Sequence, residues 1–206
     1  MIFDVDEEHP RPDEAGSRRV RASREVLGDV VRRPEDLAAL CDIGFPQSPF
    51  RMAPPIVAEE CAFELSSVVY LGDDVEMVRC DFGDLLLFGA VQGWYLFLHL
   101  GDGTVYAIPD EIAVLPGGDF RPVHSDLSSL RRLLELLYRQ ELSAERTYDP
   151  RSTGAPHRAM ERFTGEIRAE FGDADPVALS TESLWPAFFR DIEDGLYSAY
   201  YSGRRK

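Results

Sequence analysis

The fold of this 206-residue chain is decided between residues 62 and 115, where residues 94–108 read WYLFLHLGDGTVYAI. Two apolar segments, residues 94–100 and 104–108, flank Gly101-Asp102-Gly103. Because glycine adopts positive φ angles at little steric cost, this tripeptide can close a tight turn. The pattern therefore predicts a β-hairpin of two antiparallel strands.

Further strands are predicted on both sides of the hairpin. Residues 85–91 (LLLFGAV) are too uniformly apolar for a strand with one solvent-exposed face. Residues 75–82 partly alternate between apolar and polar side chains, which also predicts a strand. A short strand at residues 112–115 is expected before Pro116-Gly117-Gly118 interrupts the chain. Residues 45–57, which contain four prolines, predict an irregular extended connection into the sheet.

The clearest predicted helix follows Ser125-Asp126, which can cap its first turn. Its apolar residues recur at the i, i+3, i+4, i+7 spacing typical of one buried helix face. They are Leu127, Leu130, Leu133, Leu134, Leu137 and Tyr138. This stripe is expected to pack on the sheet.

Four other segments carry weaker helix signals. Pro34 followed by Glu35-Asp36 predicts a short helix that ends at Gly44, since proline and acidic residues suit a first turn. Residues 157–171 and a segment from about Ser183 are amphipathic and predict two helices after the sheet. Residues 18–31 allow an amphipathic helix, although Val30-Val31 could instead begin a strand.

Together these elements predict an α+β fold, with helices packed on a central, mostly antiparallel sheet of about five to six strands. A single domain over residues 1–206 is expected, because this length suits one substantial core. Residues 1–17 are expected to form a flexible N-terminal arm, and residues 202–206 a frayed tail.

Composition and charge restrict the compartment and the partners. No run approaches the roughly 20 apolar residues that span a bilayer, and the acidic N-terminus is unlike a signal peptide, so a cytoplasmic location without membrane binding is expected. Three widely spaced cysteines, Cys41, Cys61 and Cys80, predict reduced thiols. A net charge of −15 argues against nucleic acid as a direct ligand and favours a basic partner.

Most of the negative charge lies in the sheet region. Between Met52 and Phe120 there are twelve carboxylates and one cation, Arg79, which leaves this segment at −11. Since most of these acids fall at strand ends and turns, they predict a negative rim at the ends of the sheet. Solubility alone is the alternative explanation. The residues predicted to bind a partner are Asp73, Asp74, Glu76, Asp84, Asp102, Asp110 and Glu111.

Motifs of common catalytic and metal sites are missing from the sequence. There is no H-E-x-x-H, no G-x-S-x-G, no C-x-x-C and no Gly-rich loop ending in Lys-Ser or Lys-Thr, so no catalytic residue, cofactor or metal is predicted. His124-Ser125-Asp126 is interpreted as a helix cap, because three consecutive side chains do not normally converge on one point. His99 is expected to face outward or to be hydrogen-bonded within the sheet. A pocket between the sheet and the Trp185 helix would instead favour a small-ligand binder or an enzyme.

Short motifs spread from about residue 37 to residue 196 resemble one protein superfamily. They are Asp42-Ile43-Gly44-Phe45-Pro46, Leu71-Gly72, Gly101-Asp102-Gly103-Thr104-Val105-Tyr106, Asp126-Leu127-Ser128-Ser129-Leu130, Asp175-Pro176, Trp185 and Glu193-Asp194-Gly195-Leu196. The chain is similar to the SUKH superfamily, and most closely to its fourth subfamily of bacterial immunity proteins. Phe45 replaces the usual leucine of the first motif, and Asp126 replaces an asparagine.

The resemblance implies a SUKH-like α+β fold and a non-enzymatic role. Such proteins bind and neutralise a cognate toxin domain, often a nuclease or a nucleotide deaminase delivered between competing bacteria. The expected partner is therefore a basic toxin domain, with the immunity protein itself a monomer or a dimer. A regulatory interaction module of the same fold without a toxin partner is the alternative.

Overall fold

The computed structural model describes residues 19–46, 50–52, 77–91, 93–109, 120–147 and 155–194. Their strands form a two-stranded ribbon and one six-stranded antiparallel sheet. The ribbon consists of β1 (Arg19–Val20) and β2 (Phe45–Pro46). The sheet consists of β3 (Phe50–Met52), β4 (Met77–Cys80), β5 (Gly83–Val91), β6 (Trp94–His99), β7 (Val105–Pro109) and β8 (Arg121–His124). The predicted α+β class and strand number are confirmed.

The predicted hairpin is formed by β6 and β7. Leu98 pairs with Val105 next to the turn, and the Gly103 N–H donates to the His99 carbonyl at 2.9 Å. Strand β5 lies on the other side of β6, with β4 and β3 both pairing along its far edge. Strand β8 closes the opposite side of the sheet beside β7.

Residues 85–91 of strand β5 are apolar because both faces of the strand are covered there. Leu86 and Phe88 belong to the main core between the sheet and the helices. Leu85 and Leu87 point the other way, into a second apolar cluster that includes Tyr95. The alternation of side chains along a strand thus explains why the segment shows no polar face.

Five helices accompany the sheet in the described part of the chain. They are α1 (Arg24–Leu27), α2 (Pro34–Leu37), α3 (Leu127–Thr147), α4 (Ala155–Ala174) and α5 (Trp185–Glu193). Helix α2 continues as a π-helical segment, Ala38–Ile43. The leucine stripe predicted for α3 is buried in the main core, with Tyr138 at its half-buried border. The predicted helices after the sheet are confirmed, although α4 continues past the exposed Gly172 to Ala174.

Two predictions for the N-terminal third are wrong. Residues 19–31, the described part of this segment, form neither one amphipathic helix nor a strand at Val30-Val31, but β1 followed by the single-turn helix α1. Residues 45–57 are not merely an irregular connection, since they contain β2 and β3. Both errors have the same cause, because these short strands exist only through pairing with distant segments.

Strand β8 was not predicted, since Pro122 lies within it. Proline removes a backbone donor and is tolerated where a strand lies at the edge of a sheet, which is the position of β8 in the strand order. Cys41 and Cys80 are free and half-buried. The predicted strand at residues 112–115, the arm, the tail and Cys61 lie outside the described residues.

Candidate partner-binding surface at the hairpin end of the sheet

Antiparallel pairing gathers several turns at one end of the sheet. The Asp81-Phe82 turn joins β4 to β5, and the 100–104 turn joins β6 to β7. Because Leu85 pairs with His99, these two turns are neighbours. We call residues 81–84 and 99–106 the hairpin end.

His99 joins the two turns. Its Nδ1 lies 2.6 Å from Asp102 Oδ1, and its Nε2 lies 3.1 Å from the Phe82 carbonyl oxygen. The same Asp102 oxygen accepts a hydrogen bond from the Thr104 N–H at 2.9 Å. The expectation of a hydrogen-bonded sheet histidine is confirmed, and the contacts hold both turns in one arrangement.

Glycine allows the imidazole of His99 to lie against the backbone. A Cβ at Gly83, where φ is 142°, would come within 2.2 Å of His99 Nε2. Gly101 has the His99 ring on its other side, at 3.1 Å from an ideal Cβ position. The ring is therefore packed between two turns, and its side chain is only 12% exposed.

Phe82 carries a large apolar ring at the surface of the hairpin end. It is 49% exposed, although its ring stacks on Tyr106 at 5.1 Å between centroids and lies 6.1 Å from the ring of His99. Burial and the nearby Asp102 carboxylate raise the pKa of Tyr106, which keeps its hydroxyl neutral. The three rings form a platform on which the ring of Phe82 remains accessible.

Carboxylates surround this platform. The Arg79 guanidinium donates to Asp84 at 2.8 Å and lowers the pKa of that carboxyl. Partial burial tends to raise the pKa of Asp102, but hydrogen bonds from Thr104 and His99 outweigh it and the pKa is lowered. Asp81 is exposed beside Phe82, and Asp102 is 60% exposed. The hairpin end therefore carries three carboxylates, one of which is paired with the guanidinium of Arg79 on β4.

The hairpin turn is supported from behind by the start of α2. Gly103 has φ of 84°, and a Cβ there would lie 1.9 Å from Arg33 Nη1. Arg33 in turn pairs with Glu35 at 2.7 Å and with the buried Asp36 at 3.4 Å. Burial raises the pKa of Asp36, while Arg33 opposes the rise.

Two of the seven predicted partner-binding residues lie at the hairpin end, Asp84 and Asp102. The other five, Asp73, Asp74, Glu76, Asp110 and Glu111, lie outside the described residues. Sequence reasoning did not select Asp81 or Phe82. The sequence signal that could have identified them is an aromatic residue between two acids in a turn. A turn has few apolar neighbours that could bury such a ring.

A second polar cluster lies in the interior. Asp175 Oδ2 accepts hydrogen bonds from His124 Nδ1 at 2.9 Å, from the Ser125 N–H at 3.2 Å and from the Ser129 hydroxyl. Asp126 caps α3 by accepting from the Ser129 N–H at 2.8 Å, as predicted. His124 was not expected to pair with Asp175, which lies 51 residues away in the chain.

This cluster is closed to substrates. The side chains of His124 and Asp175 are 0% and 1% exposed, and the aromatic rings of Phe171 and Trp185 lie edge-on to the imidazole. Burial lowers the pKa of His124, whereas the hydrogen bonds of Asp175 hold its pKa at about 2 despite its own burial. A neutral imidazole that donates a hydrogen bond to an ionised carboxylate agrees with the lowered pKa of both groups. Because both side chains are also buried, the cluster is a structural junction.

No group of three metal-ligating side chains occurs among the residues that the structure describes. None of the helices described above is long and apolar enough to cross a membrane.

A family model described as SUKH-4 immunity protein matches residues 12–191. The chain belongs to the SUKH-4 immunity protein family. This confirms the resemblance drawn from the short motifs, and the SUKH-4 assignment agrees with the α+β architecture. Membership implies an immunity role, with a cognate toxin as the partner. No curated protein and no solved structure matches the chain.

The family motif Ile43-Gly44-Phe45-Pro46 has a clear structural basis in this SUKH-4 protein. Gly44 ends the π-helical segment with φ of 71°, and its N–H donates to the Ala39 carbonyl at 2.9 Å. The chain then enters β2, where Phe45 packs against Phe50 at 4.8 Å between ring centroids. The motif therefore connects helix α2 to the core of the sheet.

Proposed function

We propose that this SUKH-4 immunity protein neutralises a nuclease or a nucleic-acid or nucleotide deaminase toxin by covering its basic active site with the acidic hairpin end. The observation that supports the proposal is that the exposed Asp81 and Asp102 and the partly exposed Asp84 lie in two neighbouring turns at one end of the sheet. The protein acts by binding alone and needs no catalytic group of its own. The complex would form in the cytoplasm, where the nucleic acid to be protected is found.

Electrostatics favours this kind of target. Enzymes that act on nucleic acid present basic clefts to the phosphate backbone. A negative surface is steered toward such a cleft and competes with its phosphate substrate. The net charge of −15, most of it in the sheet region, suits a basic protein and disfavours nucleic acid itself as the ligand.

The same fold can meet different toxins through different surface residues, so family membership by itself does not select the hairpin end. Two features of the described residues support this choice. The turns are joined by His99, whose two ring nitrogens lie within hydrogen-bond distance of Asp102 and the Phe82 carbonyl oxygen, and the Asp102 carboxylate is 60% exposed. A surface that is already ordered loses little conformational entropy on binding.

Affinity capture from cells of the chain's own source, followed by a protection assay, tests the proposal. The captured partner's toxin domain is expressed in a test bacterium with and without this chain, and survival is counted. We expect protection, and one-to-one binding at nanomolar Kd in titration calorimetry. If the captured partner is harmless, or if this chain does not protect against a toxic one, the proposed function is wrong.

A further inference from the structure

We propose that Phe82 is the central contact for the toxin, and that its exposed ring receives an arginine side chain whose guanidinium pairs with Asp81 and Asp102. This inference rests on the proposed function and specifies which part of the acidic surface provides the affinity. The partner it requires is a basic protein with an exposed arginine beside its active site.

The exposure of Phe82 is unusual for its position. Among the described residues, the large hydrophobic side chains that are exposed are Ile43, Met77 and Phe82. Phe82 differs from the other two because it stacks on a second aromatic ring and lies between two acidic residues, Asp81 and Asp84. Aromatic residues in well-supported positions dominate the energetics of protein interfaces.

The platform beneath Phe82 is held by contacts within the protein itself, before any partner binds. Its ring rests on Tyr106, and its carbonyl oxygen lies within hydrogen-bond distance of His99. His99 is itself held by Asp102 and packed against the backbone of Gly83. A preorganised aromatic surface adds affinity because little side-chain freedom is lost on binding.

Charge selects arginine as the occupant. A guanidinium is planar and delocalised, so it can stack on an aromatic ring while its N–H groups donate to carboxylates. Arg79 already pairs with Asp84, whereas Asp81, next to Phe82 in the chain, and Asp102, in the neighbouring turn, retain exposed carboxylates. An apolar partner would desolvate these two carboxylates without pairing them.

The same charges argue against a second copy of this chain as the occupant. A two-fold interface brings identical patches together. It would therefore place the Asp81 and Asp102 carboxylates of one copy against those of the other, which is unfavourable.

The test measures the Kd of four variants for the captured toxin domain by titration calorimetry. Phe82→Ala removes the ring, Phe82→Trp keeps an aromatic face, and Asp81→Lys reverses one flanking charge. Met77→Ala is the matched control, because Met77 is 40% exposed on the adjacent strand β4. Unchanged thermal unfolding and circular dichroism establish that each variant is folded.

We expect Phe82→Ala to raise Kd by roughly thirtyfold or more, as for central interface aromatics. Asp81→Lys should raise Kd by about tenfold or more, since it places a cation beside the incoming arginine. The Kd of Phe82→Trp should stay within about threefold of wild type, because this variant keeps an aromatic ring. The Kd of Met77→Ala should stay in the same range, because Met77 lies outside the contact.

The possible failures are distinguishable. If wild type binds and protects while Phe82→Ala behaves like Met77→Ala, the Phe82 contact is wrong and the proposed function stands. If wild type does not bind the toxin domain, both fail together. If light scattering shows a dimer that Phe82→Ala dissociates, the surface binds a second copy and the arginine contact is overturned.

Discussion

At the scale of single residues, glycines decide where the backbone of this protein can approach other groups. Gly44 has φ of 71°, and a Cβ there would lie 2.5 Å from the Val20 carbonyl oxygen of β1. That carbonyl belongs to the strand that pairs with Phe45. The absence of a side chain therefore permits both the backbone conformation and the contact between β1 and the end of the π-helical segment.

We expect Gly44→Ala to lower the free energy of unfolding by about 1–3 kcal/mol, because alanine is strained at positive φ and its Cβ would displace β1. Urea denaturation measures the change. Gly165→Ala is the control, since Gly165 lies exposed within α4 with nothing within 4 Å of an added Cβ. Alanine there should be neutral or stabilise the helix by up to about 1 kcal/mol. Equal stability of Gly44→Ala and wild type would refute this account.

At the scale of elements, one buried carboxylate ties three segments together. Asp175 follows α4 directly and binds the side chain of His124 at the end of β8 and that of Ser129 in the first turn of α3. Trp185, the first residue of α5, packs its ring 5.6 Å from the imidazole. The junction fixes the ends of two helices relative to the edge of the sheet.

The junction predicts a loss of stability in mild acid. Burial lowers the pKa of His124, so below about pH 6.5 this histidine takes up a proton more readily in the unfolded chain than in the folded protein. The free energy of unfolding should therefore fall as the pH drops from 6.5 to 5.5, by up to about 1 kcal/mol. Chemical denaturation at a series of pH values measures the slope. His124→Asn should flatten the slope in this range, and an unchanged slope would contradict the assignment.

Asp175 acts in a separate and lower pH range. Its pKa is about 2 in the folded protein against an ordinary 3.8. Its contribution is therefore fully present above about pH 4 and is lost as the pH falls through 2, since protonation abolishes the charge that three donors stabilise. The two groups of the junction are thus expected to destabilise the protein in two successive pH ranges as the solution is acidified.

At the scale of the whole molecule, charge is distributed unevenly. Residues 52–120 carry twelve of the 37 acidic residues and only one of the 22 basic residues. The N-terminal third and the helical half carry the rest of the cations, several of them in ion pairs such as Arg19 with Glu135 and Arg168 with Glu193. Along the sequence, negative charge is therefore most concentrated in residues 52–120.

This asymmetry predicts that salt acts on association rather than on dissociation. Raising the ionic strength from about 0.05 to 0.3 M shortens the Debye length and should slow association with the toxin domain by roughly tenfold, with the dissociation rate nearly constant. Stopped-flow or surface-plasmon kinetics resolve the two rates. Reversing Glu161, an exposed acid on α4, is the control and should leave the salt dependence nearly unchanged. A salt-independent association rate would argue against electrostatic steering.

Local patterns in the sequence determined much of the fold and part of the candidate surface. The β6–β7 hairpin follows from Gly101-Asp102-Gly103 between apolar segments, and helix α3 follows from its leucine stripe and its Asp126 cap. These features depend on residues close together in the chain, so turn chemistry and periodicity are enough to predict them. Asp84 and Asp102 were selected for the same reason, as acids at strand ends.

Only the tertiary structure decided which distant residues meet. Strand β1 exists because Val20 pairs with Phe45, and His124 is buried because Asp175 accepts from it. The exposure of Phe82 likewise follows from the way two turns meet across His99. Burial, strand pairing and pKa shifts arise from contacts between segments far apart in the chain, and no local pattern specifies them.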